Sequence, residues 1–486
     1  MKTRPEFVSS LGRRRLQFAW LGWPPLLCLL AFGCAVGPNY HRPDLHVPGA
    51  FADATNNAAP SFAELPWWRL FRDPALQELI TEALTNNYDL RIAWTRMEQA
   101  RALAAQNRAA FFPQLTYQGI AERGKNSANG IPTATGKTVD LFALEGSASW
   151  ELDIWGRLRR LNEAARAQYL ATREAQRDVR ISLISQVAQA YFELAALDAQ
   201  LEIAERATNA FGESLRIFSE RLQHGVTSRL ETSAAEAAQA SAAASIPDLL
   251  RRIALQENQI NTLLGKYSGS IRRSHQLSQT LPLPEVPPGL PSELLERRPD
   301  IREAEQNLRA ANAQVGVAVA DFFPRLSLTG LFGQVSPELS AFTSGAANAW
   351  SVGANLAGPL FQGGRLYWQY RQARAAREQA VLQYQSTVLN GFHEVADALV
   401  SRRFYAEQRN WLERSVKAYE TAVQVSFERY HIGQSSYYEV LQEQQQLYPA
   451  ENSVVQAELN QLLDIIQLYR ALGGGWETAQ HQPEHP

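Results

Sequence analysis

FFPQLTYQG, Phe111–Gly119, recurs nearly letter for letter as FFPRLSLTG, Phe322–Gly330. Each copy sets a helix breaker between two periodicities. Proline cannot continue a helix, drives the residue before it to an extended conformation, and is tolerated where a strand begins. After Pro113, Leu115, Tyr117 and Gly119 alternate with Thr116 and Gln118; after Pro324, Leu326, Leu328, Gly330 and Phe332 alternate with Ser327 and Thr329. Such period-two alternation predicts strands with one apolar face. A second strand follows in each half, with Phe142, Leu144, Gly146, Ala148 and Trp150 on one face, and later Trp350, Val352, Ala354 and Leu356.

Four strands of about ten residues match the length that crosses a bilayer when tilted. Four cannot close a barrel, and an open edge in hydrocarbon leaves backbone groups unpaired, so several copies must each donate four. Of two copies or three, only three are expected to leave an open passage. A soluble sandwich of two hairpins is the competing reading of the same pattern. The phrase itself reads as a joint between helix and barrel, formed by Phe111, Phe112 and Pro113 and by Phe322, Phe323 and Pro324. Its aromatic pairs fit a membrane interface or local core packing equally well.

The repeat extends beyond the phrase. Asp89 falls on Asp300 and Arg91 on Arg302 at an offset of 211, and the Gly-Arg-Leu of Gly156 falls on that of Gly364 at 208. From there Leu183, Val187, Ala190, Leu194, Leu197, Leu201 and Ala204 step by four and three, as do Leu412, Val416, Tyr419, Val423, Phe427 and Tyr430. These are helices of about 65 residues, roughly 100 Å at 1.5 Å per residue. An ordinary coiled-coil pair would show the same stripe. Gly225 and Gly433 suit the left-handed residue that ends a helix, Ser228 and Ser436 suit the cap of a returning helix, and Arg221 and Arg429 suit the negative end of the helix dipole. Matching tips suggest a shared docking end; capping alone is the plainer account.

The predicted boundaries are a signal peptide over 1–33, a lipid-anchored extended arm over 34–66, a first repeat over 67–265, a Pro-rich linker over 266–297, a second repeat over 298–472 and a tail over 473–486. Strands are expected at about 114–123, 140–151, 325–334 and 349–358. Long helices are expected at about 156–222 and 364–430, with return helices at about 228–265 and 436–472. The N-terminal stretch has a basic start, an apolar middle and Leu30–Cys34, LAFGC, which resembles a bacterial lipobox in which cleavage leaves Cys34 as the acylated first residue. An ordinary signal with an incidental cysteine is the alternative. Ala35 is not the Asp that retains such lipoproteins at the inner membrane, which favours the outer one.

A net charge of −2 argues against a nucleic-acid partner, because neutralising phosphates needs surplus Lys and Arg. The eight histidines have no paired helical spacing, and no phosphate-binding Gly loop or nucleophile elbow appears. No cofactor, metal site or enzymatic activity is therefore expected.

The segments WWRLFRDPALQELITEALTNNYDLRIA, WELDIWGRLRR, ERRPDIREAEQNLRAANAQVGVAVADFFPRLSLTG, GPLFQGGR and YRALGGGW resemble the TolC-like outer-membrane efflux channels, in their lipoprotein branch. The resemblance implies a mainly α fold with a transmembrane β-barrel: a homotrimer with a 12-stranded outer-membrane barrel and a 12-helix periplasmic α-barrel, reaching from the outer membrane of a Gram-negative bacterium into the periplasm. It implies a periplasmic adaptor docking at the tips, on Arg221, Gly225, Ser228, Arg429, Gly433 and Ser436, and an inner-membrane RND-type pump that supplies drugs, metals or other small molecules. It also implies an aperture constricted six and nine residues after the second tip glycine, where this chain has Glu439 and Gln442; Glu231 stands at the place equivalent to Glu439. A protein-secretion conduit shares this architecture, and a non-conducting periplasmic scaffold shares the helical hairpins.

Overall fold

The structure, a computed structural model, describes residues 35–45, 67–71, 73–125, 138–273 and 294–474. The expected signal segment, Cys34, most of the arm and linker, and the tail after 474 lie outside the described residues. The chain divides into two compact units. One contains residues up to Asn39, Gln106–Glu163 and Ala313–Ala373; the other contains Tyr40–Ala105, Ala164–Asn312 and Arg374 onward.

The first unit holds a four-stranded antiparallel sheet in the order β1 (Gln114–Lys125), β2 (Thr138–Leu152), β3 (Arg325–Ser336) and β4 (Asn348–Ala357). The strands run longer than their alternation, because β-pairing continues through Gly124–Lys125 and Thr138–Val139, where no apolar face is needed. Tyr117, Gly146, Phe332 and Trp350 lie in one row across the sheet. The rings in that row are 87%, 70% and 75% exposed, so this apolar face has no cover among the described residues. The next row, on the other face, is mostly polar: Thr116 lies opposite Ser147 with their hydroxyls 2.7 Å apart, Leu331 follows on β3, and Ser351 ends it at β4.

Both proline joints have one backbone design. Phe111 and Phe112 donate their N–H groups to the last carbonyls of the preceding helix, Arg108 and Ala109, and Phe322 and Phe323 do the same to Val319 and Ala320. The rings then diverge. Trp155 stacks on Phe323 at 4.6 Å and donates its indole N–H to the Pro324 carbonyl at 2.8 Å, whereas Phe112 is 64% exposed. The residues after Cys34 are docked here. Arg160, buried at this joint, donates to the Val36 and Gly37 carbonyls and to Asn39 Oδ1, while Glu163 neutralises it at 2.8 Å.

The second unit is helical. Helices α1 (Pro74–Asn86) and α2 (Tyr88–Ala109) precede β1, and α3 (Arg157–Gln223) with α4 (Arg229–Leu263) forms the first hairpin. Helix α5 (Pro299–Ala320) precedes β3, and α6 (Arg365–His431) with α7 (Tyr437–Ala471) forms the second. Both long helices contain 67 residues and both return helices 35. At 1.5 Å per residue the long ones measure about 100 Å. The return helices continue through Pro247 and Pro449, each of which forfeits one intrahelical hydrogen bond.

Apolar residues of α1, α3, α4 and α7, with Val395, Ala398 and Leu399 of α6, make the main core, and Leu76, Ile80, Leu194, Ile260 and Leu468 are fully buried. The stripe on α3 from Leu183 to Ala204 packs into it, but the stripe on α6 from Leu412 to Tyr430, nearer the tip, is only half covered, and Phe427 is 43% exposed. The period of the stripe is set by the helix; its cover depends on which neighbours a single chain supplies.

Two equivalent knots tie the return helices down. Asn87 donates its side-chain N–H to the Leu263 carbonyl at 2.9 Å, and Arg298, 211 residues later, donates to the Ala471 carbonyl at 2.9 Å. Gly265 and Gly473, just beyond those carbonyls, take φ of 68° and 72° as left-handed helix ends. Arg298 is buried, bidentate to Asp300 at 2.7 and 3.0 Å, and paired with Glu394 at 2.7 Å.

Asp464 of α7 is 4% exposed, and its Oδ2 has no hydrogen-bond partner. Burial raises its carboxyl to about 7, with nearby Arg402 opposing. A raised carboxyl costs nothing below its unfolded value near pH 4, and the cost grows until pH passes about 7. Asp464→Asn should therefore raise thermal stability at pH 8, by on the order of 2–4 kcal/mol, and change it little at pH 4. Melting curves at the two pH values check this.

Candidate functional site

The hairpin tips carry most of the residues singled out in the sequence. Gly225 and Gly433 have φ of 70° and 73°, a region that costs a Cβ-bearing residue about 1 kcal/mol or more. Their neighbours close the same turn twice: Val226 N–H donates to the Arg221 carbonyl at 2.9 Å, and Gln434 N–H to the Arg429 carbonyl at 2.8 Å. These bonds satisfy the last carbonyls of each long helix.

The starts of the return helices differ. Ser228 caps α4 in a capping box: its hydroxyl accepts from Glu231 N–H at 3.4 Å, and the Glu231 carboxylate accepts from Ser228 N–H at 2.9 Å. Thr227 also donates to that carboxylate. The backbone donor of Ser228, followed by Thr227, holds the Glu231 carboxyl below the usual range. Ser436 has the same extended backbone but makes no side-chain cap bond. Glu439 instead turns to Arg429, 3.0 Å away, with both side chains nearly half exposed. Gln442 is exposed on the next turn. Two carboxylates in equivalent places thus have different work: Glu231 is committed to its helix end, and Glu439 is held at the surface by one cation.

The tips of the two hairpins meet through aromatic rings. Tyr437, the first residue of α7, is 3% exposed; its ring lies edge-on to Phe218 at 5.4 Å and to Tyr430 at 4.9 Å. The Arg221 guanidinium sits over the Tyr430 ring at 4.9 Å. Fully buried Ser214 donates to the Tyr437 hydroxyl at 3.4 Å, and burial raises that phenol. Sequence reasoning missed Tyr437 and Phe218. The available signal was an aromatic pair directly after the Ser cap, where the first tip has Arg229-Leu230.

Arg221 and Arg429 therefore do more than face the helix dipole: one covers a ring of the opposite hairpin and the other pairs with Glu439. Among the described residues, no group of three or more His, Cys, Asp or Glu could hold a metal ion. No described helix is long and apolar enough to cross a membrane.

Comparison with known proteins sets these features in a wider group. The model of a family described as outer membrane efflux protein matches residues 79–266 and 290–474. The toluene efflux pump outer membrane protein TtgC of Pseudomonas putida is 34% identical over 451 residues, covering 91% of this chain and 93% of TtgC. The cation efflux system protein CusC of Escherichia coli K12 is 34% identical over 455 residues, covering 93% of this chain and 98% of CusC. Among solved structures, the open state of the Neisseria gonorrhoeae MtrE outer membrane channel superposes with a TM-score of 0.84 at 30% identity, over 91% of this chain and 99% of MtrE.

Proposed function

The chain belongs to the outer membrane efflux protein family, and from that premise we propose that it is the exit duct of a tripartite efflux pump. It conducts small molecules passively from the periplasm to the exterior, handed on by a periplasmic adaptor and an inner-membrane pump. The carrying observation is a four-stranded sheet with one exposed apolar face and, among the described residues, two unpaired edges, in a chain that also forms helices of about 100 Å. A scaffold that only bridged membranes would have no use for that face. Three copies supply twelve strands, enough to enclose an aqueous passage. Acylation of Cys34 would add an outer-membrane anchor beside the joint where Val36 and Gly37 are docked. In whole cells the chain should fractionate with the outer membrane as a heat-sensitive three-chain band; soluble monomer would count against the reading.

The tips, Arg221, Gly225 and Ser228 with Arg429, Gly433 and Ser436, are the surface the adaptor engages. At the aperture, three copies of Glu439 form a ring that favours cations, partly neutralised by Arg429. Glu231, held in its capping box, contributes helix stability there. Glu439→Ala should raise conductance or weaken cation selectivity in planar bilayers, and Arg429→Ala should strengthen cation selectivity. Unchanged currents in both variants would remove the aperture from this part of the chain.

A further inference from the structure

Parity sorts the charges of the first strand pair onto two faces. The face of Tyr117 is made by the odd-numbered residues of β1 and the even-numbered residues of β2. On β2 it runs through Leu152, Trp150, Ala148, Gly146, Leu144 and Phe142 with no charged side chain, and then turns to Asp140 and Thr138. The span from Leu152 to Phe142 is about 34 Å at 3.4 Å per residue, and a strand tilt of about 40° projects it to roughly 25 Å. That is the height of the lipid-facing band of an outer-membrane barrel.

The first charges on this face come at one rim of the band. Ala121 lies opposite Phe142, Arg123 opposite Asp140, and Lys125 opposite Thr138. Rows two residues apart put the two cations about 5–10 Å beyond the band, at the depth of lipid headgroups. Glu122, between them in sequence, and Glu145 of β2 fall on the opposite face. Arg123 is 3.5 Å from Asp140, yet its side chain is 76% exposed, and an exposed pair of that length holds loosely. Lys125 is exposed as well. The rim thus carries two cations against one anion.

We propose that Arg123 and Lys125 form a phosphate-binding site for lipid, and that its occupant is lipopolysaccharide, the phosphorylated glycolipid of the outer leaflet. This rests on the reading of the sheet as part of an outer-membrane barrel, and it assigns that barrel a specific lipid contact. A guanidinium can bind a phosphate through two parallel hydrogen bonds, and the lysine adds a mobile point charge beside it. Both stems are long enough to lie along the apolar face while their heads stay at the rim.

The leaflet follows from the topology. β1 and β3 start at the proline joints, where the preceding helices end, and Arg123 and Lys125 stand at the other end of β1. With the joints on the periplasmic side, the basic rim faces the exterior, out of reach of the inner-leaflet phospholipids. The repeat confines the site to one half. Gln334 and Ser336 occupy the equivalent positions 211 residues on, so among the described residues each chain offers one such pair of cations.

The purified full-length oligomer, cleared of bound lipid and held in detergent, is titrated with lipopolysaccharide and with the same lipopolysaccharide after enzymatic removal of its phosphates. The phosphorylated form should bind more tightly. A cation at an anionic lipid surface is worth about fivefold in affinity, so Arg123→Gln with Lys125→Gln should weaken binding about 25-fold and erase the preference for phosphate. Glu122→Gln changes charge at the same level on the opposite face and should leave the affinity within about twofold. Equal binding of the two lipopolysaccharides overturns phosphate recognition, and unchanged affinity in the double variant overturns the site. Displacement of the lipopolysaccharide by millimolar inorganic phosphate overturns lipid as the occupant. Any of these results with an intact SDS-resistant oligomer leaves the barrel reading standing, whereas absence of that oligomer overturns both.

Discussion

Arg298→Ala should destabilise the helical unit by about 2–4 kcal/mol, because it takes a buried guanidinium from three partners at once, two of them carboxylates that stay a third to nearly half exposed. The loss is threefold at one point. Asp300 loses a bidentate partner at the start of α5, Glu394 loses its contact on α6, and the Ala471 carbonyl loses the donor that holds the end of α7. Truncation also leaves a void against Gly391, whose backbone admits the guanidinium at close range. Arg298→Lys keeps the charge but not the fork, and should recover less than half of the loss. The repeat supplies an internal comparison: Asn87→Ala removes the equivalent knot at Leu263, but with one neutral hydrogen bond and no ion pair lost there it should cost only about 1–2 kcal/mol. Thermal unfolding of the detergent-solubilised protein, followed by loss of helical signal, ranks the three variants.

Gly333→Val should prevent assembly of the sheet. A Cβ at Gly333 would lie 2.4 Å from the Leu144 carbonyl oxygen and 2.7 Å from Glu145 Cα, so it meets backbone, which cannot swing aside as a side chain can. The clash falls on the β2–β3 junction, where Gly333 lies opposite Glu145, and this pairing joins the two halves of the sheet. Overpacking ordinarily costs about 1–3 kcal/mol, occasionally more. Here relief of the clash requires parting the strands, and each backbone group left unpaired in hydrocarbon costs several kcal/mol more. The expected result is loss of the heat-sensitive oligomer and accumulation of protease-sensitive monomer. Gly353→Val is the control, since its nearest neighbour is the Thr329 hydroxyl oxygen at an ordinary 3.5 Å, and it should assemble.

The parts of the fold legible in the sequence were those governed by local periodicity. Alternation around Tyr117 and Phe332, the breaker at Pro113 and Pro324, and steps of four and three from Leu183 onward depend on backbone geometry alone. Contacts that arise only when distant segments meet were hidden. Asn87 and Arg298 share only an N–H donor and differ in size and charge, so a match by residue type passes over their common task of holding a helix end. Glu231 and Glu439 look interchangeable at their equivalent positions. What separates them is Thr227 and a competent Ser228 cap at one tip, and Arg429 within 3.0 Å at the other. Tyr437 reads as one more aromatic on a helix; its burial against Phe218 depends on where the first hairpin lies. The half-covered stripe on α6 shows the limit from the other side, since a period says which face is apolar and not what covers it.

The central claim, that copies of this chain close into a conducting duct, is tested most directly by single-channel recording from the purified oligomer in planar lipid bilayers. The account predicts discrete, stepwise currents from the SDS-resistant three-chain species, with cation preference reduced in Glu439→Ala. A purified three-chain species that inserts into the bilayer and passes no current would contradict it.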